Sequence, residues 1–566
     1  MKKQNILVSL LAVFCLVGCN QQSGSNPGSN SQKPADESIF VIEDYGTVKF
    51  EAEKFNSENW TPDSTYGGAK VIQESKASGG AYLAAGSPKS AGTCKFSFEL
   101  KKDSIVNFSA AYAQTEDWLE RDFDMSKTYV FEVENVSNFT LPDNGKTLKA
   151  RSSDTNWELM NYNPETLYKG VYNVTLRIDE NTPEGCPSID YIQFKTKDSS
   201  YVPVDPSSIT EADIPDNDMR NLQQYKYVIE EDVYKYKTYA TGADLSAPRG
   251  MKLRFADVED GSKYYVQIAT SEADLANAPV RETTESKVYT FHNALLDTKY
   301  YYRAATSEAG LASAKVYNIT STAQAPRVVY VPDVLNFRDI GGWESSLVPG
   351  AKVKQGLYFR CAQLNGAAGA TTSKLDSAGK GLAALKELGI KCDIDMRDIG
   401  NQPSSGKGPS KTSTTDWPID FLSVAVPSGS EPVRWEGGTY QGTNIAEQYV
   451  KIFNALAHCD EKPAMLHCTY GADRTGIATF FLEALLGVEM EDMIRDYLWT
   501  QFAKGRNVKI EESEGAEFPQ WVSKTNACEG DNFADKMENH LISFGIEKAT
   551  LEHIREIFVP GYVAKA

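Results

Sequence analysis

Residues 467–476, His-Cys-Thr-Tyr-Gly-Ala-Asp-Arg-Thr-Gly, join two apolar runs of different length, and no other stretch constrains the chain so tightly. The run before it, Pro463 to Leu466, is short and reads as a strand. The run after it, Ile477 to Val488 (IATFFLEALLGV), is apolar almost all round and reads as a buried helix. A loop between such elements aims its backbone N–H groups inward at the helix N-terminus. That makes an anion cradle fitted to a phosphate. The positive helix end lowers a thiol pKa from about 8.5 toward roughly 3.5–7.5, so Cys468 is expected as a thiolate at neutral pH. Arg474, with five residues between it and Cys468, returns to the cradle, where its planar fork grips two phosphate oxygens.

The loop resembles the Cys-x5-Arg-Ser/Thr loop of the protein tyrosine phosphatase superfamily. Its Asp-Arg-Thr-Gly ending is similar to that of the bacterial tyrosine-phosphatase family, whose members also include phosphoinositide hydrolases. A second block, Asn336-Phe337-Arg338-Asp339-Ile340-Gly341-Gly342, followed by Gly356-Leu357-Tyr358-Phe359-Arg360, resembles the family's Asn-Phe-Arg-Asp-Leu-Gly-Gly motif and the strand after it. Ile394-Asp395-Met396-Arg397 and Asp496-Tyr497-Leu498 match later family segments in the same order. The resemblance covers roughly residues 326–566 and implies an α/β domain, a central sheet flanked by helices.

It also implies roles. Cys468 attacks phosphorus and forms a phosphocysteine. Arg474 and the amides of Thr469, Tyr470, Gly471, Ala472 and Asp473 stabilise the equatorial oxygens, where charge gathers. Thr475 donates to the thiolate, and His467 orients the loop from behind. A leaving alkoxide or phenolate needs a proton. Asp473, inside the loop, is the first choice of donor, Asp395 at a neighbouring strand end the second, and Asp420 in Trp-Pro-Ile-Asp the third. Arg360 and Arg397 read as supporting or substrate-contacting residues, and Arg338 with Asp339 as an internal ion pair. Ala472 stands where relatives with phosphoinositide activity have Lys, which weakens a polyphosphorylated-inositol reading. No cofactor is expected for catalysis.

A chain of 566 residues is too long for one core, and several domains are expected. A net charge of −19 argues against broad nucleic-acid binding, which wants a basic face. Met1-Lys2-Lys3, then apolar Ile6 to Val17, read as a signal segment too short for a permanent span. Leu16-Val17-Gly18-Cys19 resembles a bacterial lipoprotein processing box, with Cys19 as the lipid-modified residue. Residues 1–19 are thus expected as signal peptide and 20–38 as a polar tether, which predicts an extracytoplasmic, membrane-anchored lipoprotein. Nine cysteines at no metal-ligand spacing do not make a disulfide framework. Cys94 and Cys186 remain a candidate pair, and Cys361 or Cys392 candidate protecting partners for Cys468.

Residues 39–200 alternate as strands divided by Gly, Ser and Asn turns. Glu51-Ala52-Glu53, Ser78-Gly79-Gly80-Ala81-Tyr82-Leu83 and Ile189-Asp190-Tyr191-Ile192 resemble carbohydrate-binding β-sandwich modules. That resemblance implies a structural calcium on Glu51, Glu53 and Asp190, and glycan stacking on rings such as Tyr112, Trp118 and Trp157. Residues 201–325 form a second β region. Leu296 to Ala304 resembles a late fibronectin type III strand with a tyrosine corner at Tyr300, and residues 226–239 (KYVIEEDVYKYKTY) supply an extra strand. The whole reads as two all-β sandwiches followed by the α/β domain 326–566. Three functions follow: a phosphatase for phosphorylated proteins, one for phosphorylated glycans, inositol phosphates or lipids, or a glycan-binding surface lipoprotein with a vestigial phosphatase domain. Intact Cys468, Asp473 and Arg474 disfavour the third.

Overall fold

A computed structural model describes residues 39–43, 46–52, 61–62, 70–73, 81–84, 92–113, 123–124, 129–134, 147–148, 158–178, 188–200, 205–230, 232–241, 244–364, 380–398, 419–503, 508–510 and 516–564. The signal segment, the tether with Cys19, and residues Glu53, Trp118, Trp157 and Cys186 lie outside the described residues.

Among the described residues of 39–198, two main sheets lie face to face. One places Ile39–Ile42, Gly92–Leu100, Gly170–Ile178 and Tyr129–Val133 side by side, and the other centres on Ser104–Ala113 and Ser188–Asp198. Strand alternation turns Phe96, Phe98 and Leu100 inward from the first sheet and Val106, Phe108 and Ala110 inward from the second. Phe98 meets Phe194 across the gap at 4.7 Å between centroids, and Phe108 meets Phe131 at 4.4 Å. This is sandwich packing. Tyr112, expected to stack on a sugar, belongs to that core. It shares the inward face of Phe108 and Ala110, is fully buried, and bonds Tyr162 hydroxyl to hydroxyl at 2.7 Å.

A second pair of antiparallel sheets follows. Met251–Arg254 pairs with Val288–Phe291, while Arg281–Thr283, Tyr264–Ala269, Lys299–Ala305 and Val316–Thr320 make a four-stranded sheet. The Tyr300 hydroxyl accepts from the Leu295 N–H at 2.8 Å, the contact that defines a tyrosine corner. The described residues of 226–239 do not add a strand. Asn221 caps a helix, α1 (Leu222–Ile229), by accepting from the Gln223 and Gln224 N–H groups, and the Gln224 side chain accepts from the Asn221 N–H in return. Gln224, Tyr227 and Val228 then share one buried helical face.

The remainder builds a six-stranded sheet from β1 (Arg327–Val328), β2 (Arg338–Asp339), β3 (Tyr358–Cys361), β4 (Cys392–Asp395), β5 (Asp420–Ser423) and β6 (Ala464–His467). Its order is β1-β2-β3-β6-β4-β5. β3, β6, β4 and β5 run parallel, with Cys361, His467, Asp395 and Ser423 aligned at their C-terminal ends. Every position of β3, β4 and β6 is buried, as a sheet covered on both faces requires. Phe359 and Met465 pack with Leu385 of α2 (Lys380–Glu387) on one face. Tyr358, Ile394 and Leu466 pack on the other with α3 (Ile445–Leu456), α4 (Asp473–Leu485), α5 (Met490–Trp499), α6 (Phe518–Asn526), α7 (Phe533–Ser543) and α8 (Lys548–Phe558). This second core runs without a break into Tyr227, Tyr236 and Tyr239, upstream of the sheet. Among the described residues no helix is long and apolar enough to cross a membrane.

Candidate active site

The Cys468 loop sits where open α/β sheets hold their ligands, beyond the carboxyl ends of parallel strands. β6 delivers His467, and α4 begins at Asp473. Between them Gly471 takes φ +66°, and a Cβ there would lie 2.3 Å from the Cys361 carbonyl oxygen, so only glycine closes the turn. Ala472 precedes α4 without a capping side chain, which leaves the first-turn N–H groups uncovered by one. Cys468 is buried beside them. Burial raises a thiol pKa, but the Arg474 charge and the Thr475 hydroxyl and N–H outweigh it and hold Cys468 at about 7, below its ordinary 9.0. Among the described residues, Thr475 Oγ1 is buried with no other hydrogen-bond partner.

Arg474 is tethered by backbone rather than by a buried acid. Its Nη1 donates to the Val426 carbonyl at 2.9 Å and the Met396 carbonyl at 3.3 Å, and its Nη2 donates to Thr469 Oγ1 at 3.3 Å. Its nearest carboxylate partner among the described residues, half-exposed Asp398, is 3.8 Å away. Among the described residues the guanidinium is thus held mainly by neutral acceptors, with Asp398 as a longer ion pair.

A buried polar floor fixes the loop from below. Asn336 Nδ2 donates to the Tyr470 and Gly471 carbonyls at 3.2 and 3.1 Å, and Arg360 Nη2 donates to the Gly471 carbonyl at 2.8 Å. Arg360 Nη1 and Arg338 Nε donate in turn to the Asp496 carboxylate at 2.5 and 2.6 Å. Burial pushes the Asp496 carboxyl up, but the two guanidinium charges and their hydrogen bonds hold it below the usual range. Glu483 faces the same groups from α4. Burial and the Asp496 charge push it well above the usual range, against the pull of Arg360 and Arg338.

Residues 329–559 match the tyrosine phosphatase family. The matched stretch holds the loop, the floor and the whole of β2 to β6. A curated relative is a tyrosine-protein phosphatase of Nostoc commune, 26% identical over 127 residues, which are 20% of this chain and 41% of the relative. The chain thus spans about two fifths of that relative's length. Two solved structures are similar to part of the chain. A family 35 carbohydrate binding module from Clostridium thermocellum is 12% identical and covers 26% of this chain and 96% of its own, with a TM-score of 0.19. The family 35 module of Cellvibrio japonicus Abf62 is 14% identical and covers 26% and 91%, also with a TM-score of 0.19.

Within the tyrosine-phosphatase-like region the geometry sorts the expected residues. Cys468, Thr469, Tyr470, Gly471, Ala472, Asp473, Arg474 and Thr475 assemble in one loop and helix end. Asp473 is half-buried in the first turn of α4. Asp395 is a poor proton donor. Burial raises its pKa, but His467 and Arg397 lower it below the usual range, and Arg397 Nη2 donates to it at 2.6 Å. Asp420 is exposed and pairs with Lys462 at 2.6 Å. It opens β5 opposite Cys392, so it lies three strand residues, roughly 10 Å, short of the catalytic end. Arg338 and Asp339 do not pair with each other. Successive strand residues point to opposite faces, and Asp339 instead takes Arg327 at 2.6 Å. Arg360 lies beneath the loop, and Arg397 bonds Asp395 and Gln363.

Of the candidate protecting thiols, Cys392 aligns with Ala464, four strand residues from Cys468 and roughly 13 Å along the sheet, too far for a disulfide. Cys361 aligns with His467, and burial pushes its pKa well above the ordinary thiol value. Among the described residues no group of three or more His, Cys, Asp or Glu is placed to hold a metal. Glu51 lies opposite Tyr191, the neighbour of Asp190, and Glu53 is outside the described residues, so the expected calcium set is not assembled within them.

His467 is an ion-pair hub behind the loop. Its Nε2 is 3.0 Å from Asp393 and its Nδ1 3.9 Å from Asp395. Burial lowers its pKa, but the two carboxylates win and raise it to about 9 from 6.5. Between those values the native protein keeps a proton that the unfolded chain has lost. Its contribution is complete below pH 6.5 and disappears as pH rises through about 9. Urea unfolding should therefore show stability falling between pH 6.5 and 9 by on the order of 3 kcal/mol from this residue. His467→Asn should flatten that decline. An unchanged slope in the variant would remove His467 from this role.

Proposed function

We propose that this chain is a cysteine-dependent phosphomonoesterase of the tyrosine-phosphatase kind, tethered outside the cytoplasm through lipid on Cys19. The observation that carries the reading is the Cys468 thiol held at about 7 beside an uncapped helix N-terminus and the Arg474 charge. The thiolate attacks phosphorus, and the bond from phosphorus to the leaving oxygen breaks. Arg474 and the loop amides hold the three equatorial oxygens as charge builds on them. Asp473 supplies the proton to the leaving oxygen. Water then attacks the phosphocysteine, the S–P bond breaks, Asp473 takes the water's proton, and inorganic phosphate departs.

The substrate class that fits best is a phosphorylated protein, with phosphotyrosine its simplest member. Tyr470, half-buried at the loop, supplies an aromatic flank. Ala472 places no cation at the cradle for further phosphates, which disfavours polyphosphorylated inositols. Purified full chain assayed on p-nitrophenyl phosphate, phosphotyrosine peptides, phosphosugars and phosphoinositides tests both statements. Turnover of none of these overturns the phosphatase reading, and a clear preference for phosphosugars or phosphoinositides overturns the protein-substrate reading.

The proton donor has its own test. A general acid matters for poor leaving groups and little for activated ones. Asp473→Asn should slow phenyl phosphate hydrolysis by about 10²-fold or more while changing p-nitrophenyl phosphate hydrolysis far less. If Asp395→Asn shows that leaving-group dependence and Asp473→Asn does not, the proton belongs to Asp395.

A further inference from the structure

Helix α5 is held on three sides, and one side reaches the phosphate loop. Asp496 takes Arg338 and Arg360, and Arg360 also holds the Gly471 carbonyl. Thr500, just after the helix, lies 3.4 Å from Asn336 Nδ2, the donor to the Tyr470 and Gly471 carbonyls. Arg495, the residue before Asp496, turns away from the loop. Its Nη1 donates to the Tyr227 carbonyl at 2.7 Å and its Nη2 to the Glu230 carbonyl at 3.0 Å. These carbonyls belong to the C-terminal end of α1, where helix carbonyls lack partners of their own. The guanidinium also lies 5.1 Å from the Tyr227 ring centre, and that ring packs on Trp499 of α5. Arg495 Nη2 is 3.8 Å from Glu491 in the first turn of α5, and Glu491 pairs at 2.8 Å with Lys195 of the N-terminal sandwich.

We propose that α5 is a shared anchor through which the segments preceding the catalytic sheet position the phosphate loop, with Arg495 as the positioning residue and Lys195–Glu491 as the outer contact. The proposal rests on the reading of the Cys468 loop as a phosphate site. Its physical basis is adjacency. Arg495 and Asp496 share one rigid helix, so a tilt that frees Arg495 from α1 shifts Asp496, the two arginines on it and the Gly471 carbonyl. Displacements of about 1 Å at such a site can cost on the order of 10²-fold in rate. The upstream chain is then part of the catalytic unit, and whatever loads the N-terminal sandwich is felt at the loop.

The test uses the full chain and reads binding as well as turnover. Arg495→Ala should lower kcat/KM on p-nitrophenyl phosphate by about three- to thirtyfold. It should also weaken competitive inhibition by inorganic phosphate, and move the pH dependence of Cys468 alkylation by iodoacetate upward. Arg495→Lys, which keeps the charge and one donor, should recover part of each. Lys195→Glu and Glu491→Lys, at half-exposed positions that do not threaten folding, should each lower kcat/KM about twofold, and the double reversal should restore it. A folded Arg495→Ala protein with wild-type phosphate inhibition and alkylation profile overturns the proposal. If Arg495→Ala does not fold, the charge reversals decide, and a double variant no better than its singles overturns it. Wild-type chain that lacks turnover while phosphate still protects Cys468 would sink the catalytic reading alone, because the phosphate and alkylation measurements do not need turnover.

Discussion

Cys468→Ser should abolish hydrolysis of p-nitrophenyl phosphate, by on the order of 10⁴-fold or more, while the protein stays folded and binds inorganic phosphate. The size follows from what is lost. Cys468 sits at about 7 because Arg474 and Thr475 outweigh its burial, so much of it is thiolate at neutral pH. The same surroundings cannot bring a serine hydroxyl to ionise, because an alkoxide begins many pH units higher. The cradle itself is untouched, since Gly471, the α4 N-terminus and Arg474 do not depend on the sulfur for their positions. Arg474→Ala should cost on the order of 10²–10³-fold, the usual effect of removing one preorganised transition-state donor, and should weaken phosphate binding as well. Its loss also frees the thiol pKa to rise, so the acidic limb of the pH profile should move upward. Retention of more than about 1% of wild-type turnover by Cys468→Ser would exclude Cys468 as the nucleophile.

The loop was legible in the sequence because its chemistry is local. A cysteine, a glycine and an arginine at fixed spacing between two apolar runs specify the turn, the cradle and the helix end together. The floor was not legible. Asn336, Arg360, Glu483 and Asp496 come from a loop, a strand and two helices, and only the sheet order β2-β3-β6 and the packing of α4 and α5 bring them together. Asn336 and Asp496 lay within recognised motifs but carried no role. Glu483 was hidden in a run counted as apolar, although one carboxyl in such a run is a signal of a buried partner. Asp393, at an alternate position of β4, escaped notice beside Asp395. Residues 226–239 misled for a different reason. Their aromatic and β-branched content favours strand, yet the reciprocal cap of Asn221 and Gln224 starts a helix whose Tyr227 fits the core beside α5. Strand polarity, invisible in sequence, set Asp420 at the wrong end of the sheet.

The floor makes the second large prediction. Asp496→Ala would leave Arg338 and Arg360 buried without their shared carboxylate, which typically costs about 3–5 kcal/mol of stability. The loop should fail with it, since Arg360 also holds the Gly471 carbonyl. Asp496→Asn should be milder, and for a reason beyond its shape. Burial and the repelling Asp496 charge favour the protonated form of Glu483, while both arginines pull the other way. Removing the Asp496 charge removes one of the causes that favour the neutral form of Glu483. Glu483 can then ionise and serve the same two guanidinium groups. Glu483→Gln alone should be nearly silent at neutral pH, because an amide resembles the protonated acid it replaces. The double variant Asp496→Asn with Glu483→Gln should be worse than the sum of its parts, in urea stability and in kcat/KM alike. A cycle of the four proteins measures that coupling directly. Strict additivity would mean that Glu483 does not answer the loss of Asp496, and the two carboxyl groups would then not share the arginines as one charge-regulated floor.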